Sequence, residues 1–167
     1  LEQASAKLPG VEMVEGDMTG FDLGRRFDAV VCLFSSIAYV LTLEGLHSTM
    51  ASFARHLNPG GVVVLEPWFP ADKWDDGYVG AMSARTDDMA VARSTTSIRR
   101  DERQVVMYFG FAVAYPDGRL DTYVEEHATG QFTVEEHLEA FAAAGLAAEY
   151  DPEGLMGRGL YLATHAP

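Results

Sequence analysis

Two spacings of apolar residues alternate along the opening part of the chain. Leu43, Leu46, Met50, Phe53 and Leu57 recur every three or four residues, which places them on one face of a helix. Thr42 stands where a side-chain oxygen caps the first turn, and Asn58-Pro59-Gly60-Gly61 carries the signals that stop a helix. On either side the apolar runs are continuous: "RRFDAVVCLF" and "VVVLEP" do not alternate as a half-buried strand would, so both read as strands buried on both faces. Ahead of them "LEQASAKLPG" reads as the last turns of a helix closed by Pro9-Gly10, and "VEMVEGD" as a short strand ending in a turn. This order, helix, strand, strand, helix, strand, is βαβ alternation. It predicts an α/β fold, a Rossmann-like doubly wound sheet flanked by helices.

The pattern changes in the middle. "DMAVARSTTSIRR", "RQVVMYFGFAVAYPDGRL" and "DTYVEEHATGQFT" are rich in β-branched and aromatic residues and separated by turn signals, predicting a three-stranded antiparallel layer inserted into the α/β unit. Residues 70–86 read as a long irregular connection, a kind of segment that often carries function. Thr133 and Glu136 form a capping box for a helix over 134–144 that Gly145 ends. "LAAEYD" and "GRGLYLATHA" then predict a terminal hairpin on the sheet edge. The expected organisation is an α/β core over 1–69, a loop and β insert over 70–132, and a final helix and hairpin over 133–167.

Composition narrows the function. Of the 167 residues 48% are hydrophobic and 22% charged, as in an ordinary globular domain. No apolar run reaches membrane-span length and no signal peptide is visible. The single Cys32, inside an apolar run, excludes a disulfide framework and points to a reducing, cytoplasmic setting. A net charge of -13 argues against nucleic-acid binding. It also makes any anion ligand depend on a few well-placed arginines. The five histidines show no metal-site spacing. His56, in the last turn of its helix, suits a cation facing the dipole. Arg99, Arg100 and Arg103 are the densest basic cluster, and charge guarding a strand edge explains them as well as ligand binding does.

Open α/β sheets bind ligands just outside the carboxyl ends of their parallel strands. Three such ends are legible: Gly16-Asp17-Met18, Phe34-Ser35-Ser36 and Glu66-Pro67-Trp68. Glu66 can accept from an amine or a sugar hydroxyl, while Trp68 and Phe69 can stack on a sugar or base; plain core packing fits the two aromatics equally. Arg158, between glycines in "GLMGRGL", suits a diphosphate, and a solvated hairpin charge is the alternative. His127, on the inserted layer, is a candidate for facing a substrate.

These strand ends, with "GDMTGFDLGRRFDAVVCLFSSIAYV", "GGVVVLEPWFP" and "GLMGRGL", resemble the class I S-adenosylmethionine-dependent methyltransferases. Within that class they are most similar to the N,N-dimethyltransferases of dTDP-linked 3-amino-deoxysugars in macrolide biosynthesis. The resemblance covers nearly the whole chain and implies S-adenosyl-L-methionine as cofactor and a nucleotide-linked aminosugar as substrate. It also implies roles by position. Asp17 would accept from the adenine amine, Met18 would supply a backbone N–H and an apolar wall, and Phe34 and Ser35 would meet the methionine part. Tyr39 would lie beside the substrate amine. Since a phenol is a weak base at neutral pH, orientation is expected of Tyr39 more than proton abstraction. The resemblance further implies a homodimer and a substrate-side role for the insert.

The family's glycine-rich loop and the acidic residue that holds the cofactor ribose are not in this sequence. At roughly 30 residues per βαβ unit, the resemblance implies roughly 60–80 residues more than are present. The chain is thus expected to be part of a longer protein and to bind cofactor poorly alone. Two alternatives stay open: a class I methyltransferase acting on another small amine or hydroxyl, and a non-catalytic scaffold of the same fold.

Overall fold

The computed structural model describes residues 2–166, except the side chain of Asp72. Among the described residues eight strands form two four-stranded sheets. The first sheet contains β1 (Phe27–Cys32), β2 (Leu57–Leu65), β7 (Leu146–Asp151) and β8 (Leu160–His165), in the order β1-β2-β8-β7. β1 and β2 are parallel and joined through α2 (Leu43–Arg55), which is the predicted βαβ unit. β8 runs antiparallel to β2 and β7 antiparallel to β8, so the predicted hairpin extends the sheet. The first helix, α1 (Glu2–Lys7), is short and exposed.

The helix pattern is borne out. Gly45 N–H donates to the Thr42 hydroxyl at 3.0 Å, capping α2, and Leu46, Met50 and Phe53 are buried together with Leu57. They pack against Phe141 of α3 (Val134–Ala143) and against Val63, Leu65 and Tyr161 of the sheet. Each such side chain contributes roughly 1.5–3 kcal/mol on burial. The capping box of α3 is complete: Glu136 N–H donates to the Thr133 hydroxyl at 3.1 Å and Thr133 N–H to the Glu136 carboxylate at 2.9 Å.

Four expectations change in and around the first sheet. "VEMVEGD" is not a strand: no described strand runs beside it to take its backbone hydrogen bonds, and Val11 and Val14 are exposed. β1 is not buried on both faces. It lies at the sheet edge, where Val30 and Cys32 face the core while Val31 is 61% exposed, because no described element covers that side. Asn58–Gly61 does not form a turn between helix and strand but belongs to β2, where the pairing register slips as Phe27↔Leu57 gives way to Ala29↔Val62. His56, which ends α2, serves as a buried connector and not as a helix-end cation. Its Nδ1–H donates to Ser52 O at 2.7 Å and its Nε2 accepts from Leu23 N–H at 2.9 Å.

The inserted layer has one strand more than expected. β3 (Val79–Arg85), β4 (Ala90–Arg99), β5 (Gln104–Ala114) and β6 (Leu120–Gly130) form an antiparallel meander. β3 lies inside the stretch read as an irregular connection. Its mostly exposed residues show no alternation, so only pairing with β4 defines it. The arginine cluster is spent on ion pairs: Arg99 with Asp76, Arg100 with Glu126, and Arg103 with Glu136 through two bonds of 3.0 Å. The last of these ties the insert to the start of α3.

Candidate functional site

At the end of β1 the chain makes a sharp turn through two consecutive left-handed residues, Phe34 and Ser35, both with φ of 57°. Neither is glycine, so each conformation costs of order 1–3 kcal/mol. The turn is held by the end of β2. Phe34 N–H donates to Glu66 Oε2 at 2.6 Å, and the Ser35 hydroxyl donates to Pro67 O at 2.7 Å. Arg158, brought in by the segment before β8, donates to the Ser35 hydroxyl at 2.9 Å. Its guanidinium also lies 3.7 Å from Glu66 Oε1 and 5.6–5.7 Å from the ring centroids of Phe34, Trp68 and Phe69. Glu66 is only 2% exposed, and its Oε1 has no hydrogen-bond partner. The charge that oxygen faces is the Arg158 guanidinium, too distant for a hydrogen bond.

The turn continues into a 3-10 segment, Ser36–Tyr39, which carries Tyr39 to the insert. Tyr39 Oη lies 2.7 Å from His127 Nδ1 on β6, and His127 Nε2 lies 3.4 Å from Glu125 Oε2. Phe109 meets the imidazole edge-on at 5.1 Å. Glu125 was not singled out in the sequence, although two-residue spacing on a strand puts it on the face of His127. The approach of β6 depends on Gly130, where a Cβ would collide with the Val40 carbonyl.

Asp17 and Met18 line an open cavity of about 670 Å³ together with Tyr39. Asp17 Oδ1 accepts from the backbone N–H and the hydroxyl of Thr19, both at 2.8 Å. These two donors hold its carboxyl below the usual carboxylate range, and Oδ2 remains free to accept from a ligand amine. Phe34 is 76% exposed. Nearby, burial pushes the Cys32 thiol up to about 11, which leaves it an inert core group. Phe34, Ser35, Glu66, Trp68, Phe69 and Arg158 therefore meet at the ends of β1 and β2, Tyr39 meets His127 of the insert, and Asp17 and Met18 share an open cavity with Tyr39.

No protein-family model matches the chain. Among characterised proteins it is 42% identical over 166 residues to dTDP-3-amino-3,4,6-trideoxy-alpha-D-glucopyranose N,N-dimethyltransferase of Streptomyces venezuelae, covering 99% of this chain and 70% of that one. The crystal structure of Streptomyces venezuelae DesVI superposes with a TM-score of 0.93 at 42% identity, over 99% of this chain and 70% of that chain. A SAM-bound amino pentose methyltransferase, CalS10 from Micromonospora echinaspora, superposes with a TM-score of 0.87 at 39% identity, over 99% of this chain and 69% of that chain.

Proposed function

The chain belongs to the dTDP-aminosugar N,N-dimethyltransferases, a family of class I S-adenosylmethionine-dependent enzymes, and on that basis we propose that it methylates the amino group of a nucleotide-linked (dTDP) aminodeoxysugar. What carries the reading is the 42% identity across 99% of the chain, with the Glu66 oxygen that faces Arg158 and the Tyr39–His127 pair as groups suited to an amine.

The described residues fit the adenine end of S-adenosyl-L-methionine: the free Oδ2 of Asp17 is an acceptor for an amino group, and Met18 supplies an apolar wall. When bound, that cofactor supplies an electrophilic methyl group on a sulfonium. The chain's own residues have to present a neutral amine in line and remove one proton. With its O–H donated to His127 Nδ1, Tyr39 keeps oxygen lone pairs to accept an amine N–H. The same contact gives the proton an exit: it passes to the Tyr39 oxygen as the phenol proton moves to Nδ1, and Glu125 faces the imidazolium formed. Glu66 Oε1 accepts from the amine or a sugar hydroxyl, and Arg158 takes the diphosphate. A cytoplasmic homodimer completes the reading, supported by the lone thiol and by the edges of the insert sheet at β3 and β6.

The test, on the full-length protein, is calorimetric titration with S-adenosylhomocysteine and methyl-transfer assays across dTDP-aminosugars and simple amines. Asp17→Ala is expected to weaken S-adenosylhomocysteine binding about tenfold or more. Equal binding by the variant refutes the adenine assignment, and turnover of simple amines alone refutes the sugar.

A further inference from the structure

The Tyr39–His127 contact needs something to keep the imidazole turned toward the phenol. Rotation of a flat ring about its own bond is soft and nearly two-fold, and a flipped imidazole would offer Tyr39 a carbon in place of Nδ1. Glu125 is a weak tether. Its carboxylate is half-exposed, and at 3.4 Å from Nε2 it lies beyond the usual hydrogen-bond range of roughly 2.7–3.2 Å. Tyr39 is itself largely exposed, so water competes for the bond. The aromatic neighbour on the insert is Phe109, whose ring stands 5.1 Å from the imidazole with the planes at 74°.

Strand register explains why Phe109 can hold that ring. Phe109 of β5 pairs with Thr95 of β4 and Glu125 of β6, whereas Arg93 pairs with Phe111 and His127 with Met107. Paired residues share a face, and residues two apart on a strand share it too. Arg93, Phe109 and His127 therefore form a diagonal row on one face of the insert, with Phe109 in the middle. Diagonal neighbours are within reach of aromatic and long side chains, and the Arg93 guanidinium lies over the Phe109 ring at 4.9 Å. Unlike Arg99, Arg100 and Arg103, Arg93 joins no ion pair among the described residues, and its enclosed Nε has no hydrogen-bond partner. In a chain of net charge -13, a half-buried guanidinium without a carboxylate has the aromatic face as its compensation. Phe109 is thus flanked along the sheet by a cation on one side and the imidazole on the other.

We propose that Phe109 is a positioning residue for methyl transfer. Its ring holds the His127 imidazole in the orientation that presents Nδ1 to Tyr39, and Arg93 holds the Phe109 ring in turn. The inference rests on the Tyr39–His127 reading of the site, and it adds that the insert influences the rate through side chains that act only by way of His127.

The test uses the full-length protein with Phe109→Leu, Phe109→Tyr and Arg93→Met. Phe109→Leu is expected to lower kcat about tenfold, with KM for the dTDP-aminosugar and affinity for S-adenosylhomocysteine within about twofold of wild type. Phe109→Tyr keeps the ring and should restore kcat to within about twofold. In a His127→Ala background Phe109→Leu should cost nothing further, since both act on one contact. A second readout needs no turnover. Nitrogen NMR at mildly alkaline pH reports which ring nitrogen of neutral His127 carries the proton, and His127→Ala gives the assignment. Wild type should show Nε2–H, with Nδ1 accepting from Tyr39, and Phe109→Leu a mixture of tautomers. Arg93→Met should give the same pattern with a loss of about 2- to 5-fold in kcat, and it decides the matter if Phe109→Leu does not fold. A raised KM, a loss that persists without His127, or wild-type kcat and tautomer in folded variants overturns the inference. Tautomer mixing in Phe109→Leu, with no methyl transfer by the wild type, removes the enzymatic reading and leaves the hold of Phe109 on His127 standing; methyl transfer with an unmoved tautomer does the reverse.

Discussion

Glu66 answers to several demands at once. One oxygen accepts the backbone N–H that pins a strained turn, and the other, which has no hydrogen bond, faces the Arg158 guanidinium. Its removal should therefore cost more than one hydrogen bond. Glu66→Ala is expected to destabilise the fold by roughly 3 kcal/mol, because it leaves a largely buried Arg158 uncompensated and the left-handed turn unheld; chemical denaturation measures it. Glu66→Gln keeps the shape and should cost less. A loss within experimental error for Glu66→Ala would show that the turn is held by Ser35 alone. For Tyr39 the expectation concerns coupling. Tyr39→Phe and His127→Ala should each lower methyl transfer roughly 10- to 100-fold, and the double variant should be no slower than the worse single one, since both break one contact. Multiplying losses would mean that the two side chains act separately.

At the scale of elements, α3 links its own start to the insert and to the pH response of the fold. Bonds from Arg103 hold the Glu136 carboxyl below its ordinary value of 4.5. Burial holds the His137 imidazole below 6.5, neutral, with Nδ1–H donated to Thr133 O at 2.8 Å and its ring stacked on Tyr161. The sign is the same for both. In each case the unfolded chain takes up the proton first, so stability is complete at high pH and declines as pH falls. The decline should begin as pH drops through 6.5, from His137, and deepen below 4.5, from Glu136. Denaturation midpoints measured across that range test it, and His137→Gln should remove the upper step. A midpoint that rises on acidification in this interval would contradict the assignment. The two elements also differ in how far they could be read in advance. The capping box and the hydrophobic face of α2 were legible because their determinants lie within a few residues. β3 was not, because the seven residues of Val79–Arg85 acquire strand structure only from the ladder with β4.

For the whole molecule the decisive contact is between the inserted sheet and the 3-10 segment after β1, where Gly130 admits the Val40 backbone against the end of β6. Gly130→Ala should cost roughly 1–3 kcal/mol by overpacking and should weaken methyl transfer further by parting Tyr39 from His127; wild-type stability in this variant would mean that the insert is held to the core elsewhere. The sequence by itself determined what local chemistry decides: the βαβ unit, the helix caps, the terminal hairpin, and the identity of the strand-end residues Asp17, Ser35 and Glu66. A residue's neighbours within a turn or a strand are set by covalent spacing, so pattern reveals them. Only the tertiary structure decided which distant groups meet. It placed Tyr39 against His127 across 88 positions and Arg158 against Ser35 across 123, left the apolar run of β1 exposed on one side, and denied "VEMVEGD" a partner to make it a strand. Those outcomes depend on sheet order and on what covers each face, and both are products of packing energy summed over the whole chain, which no single stretch of residues encodes.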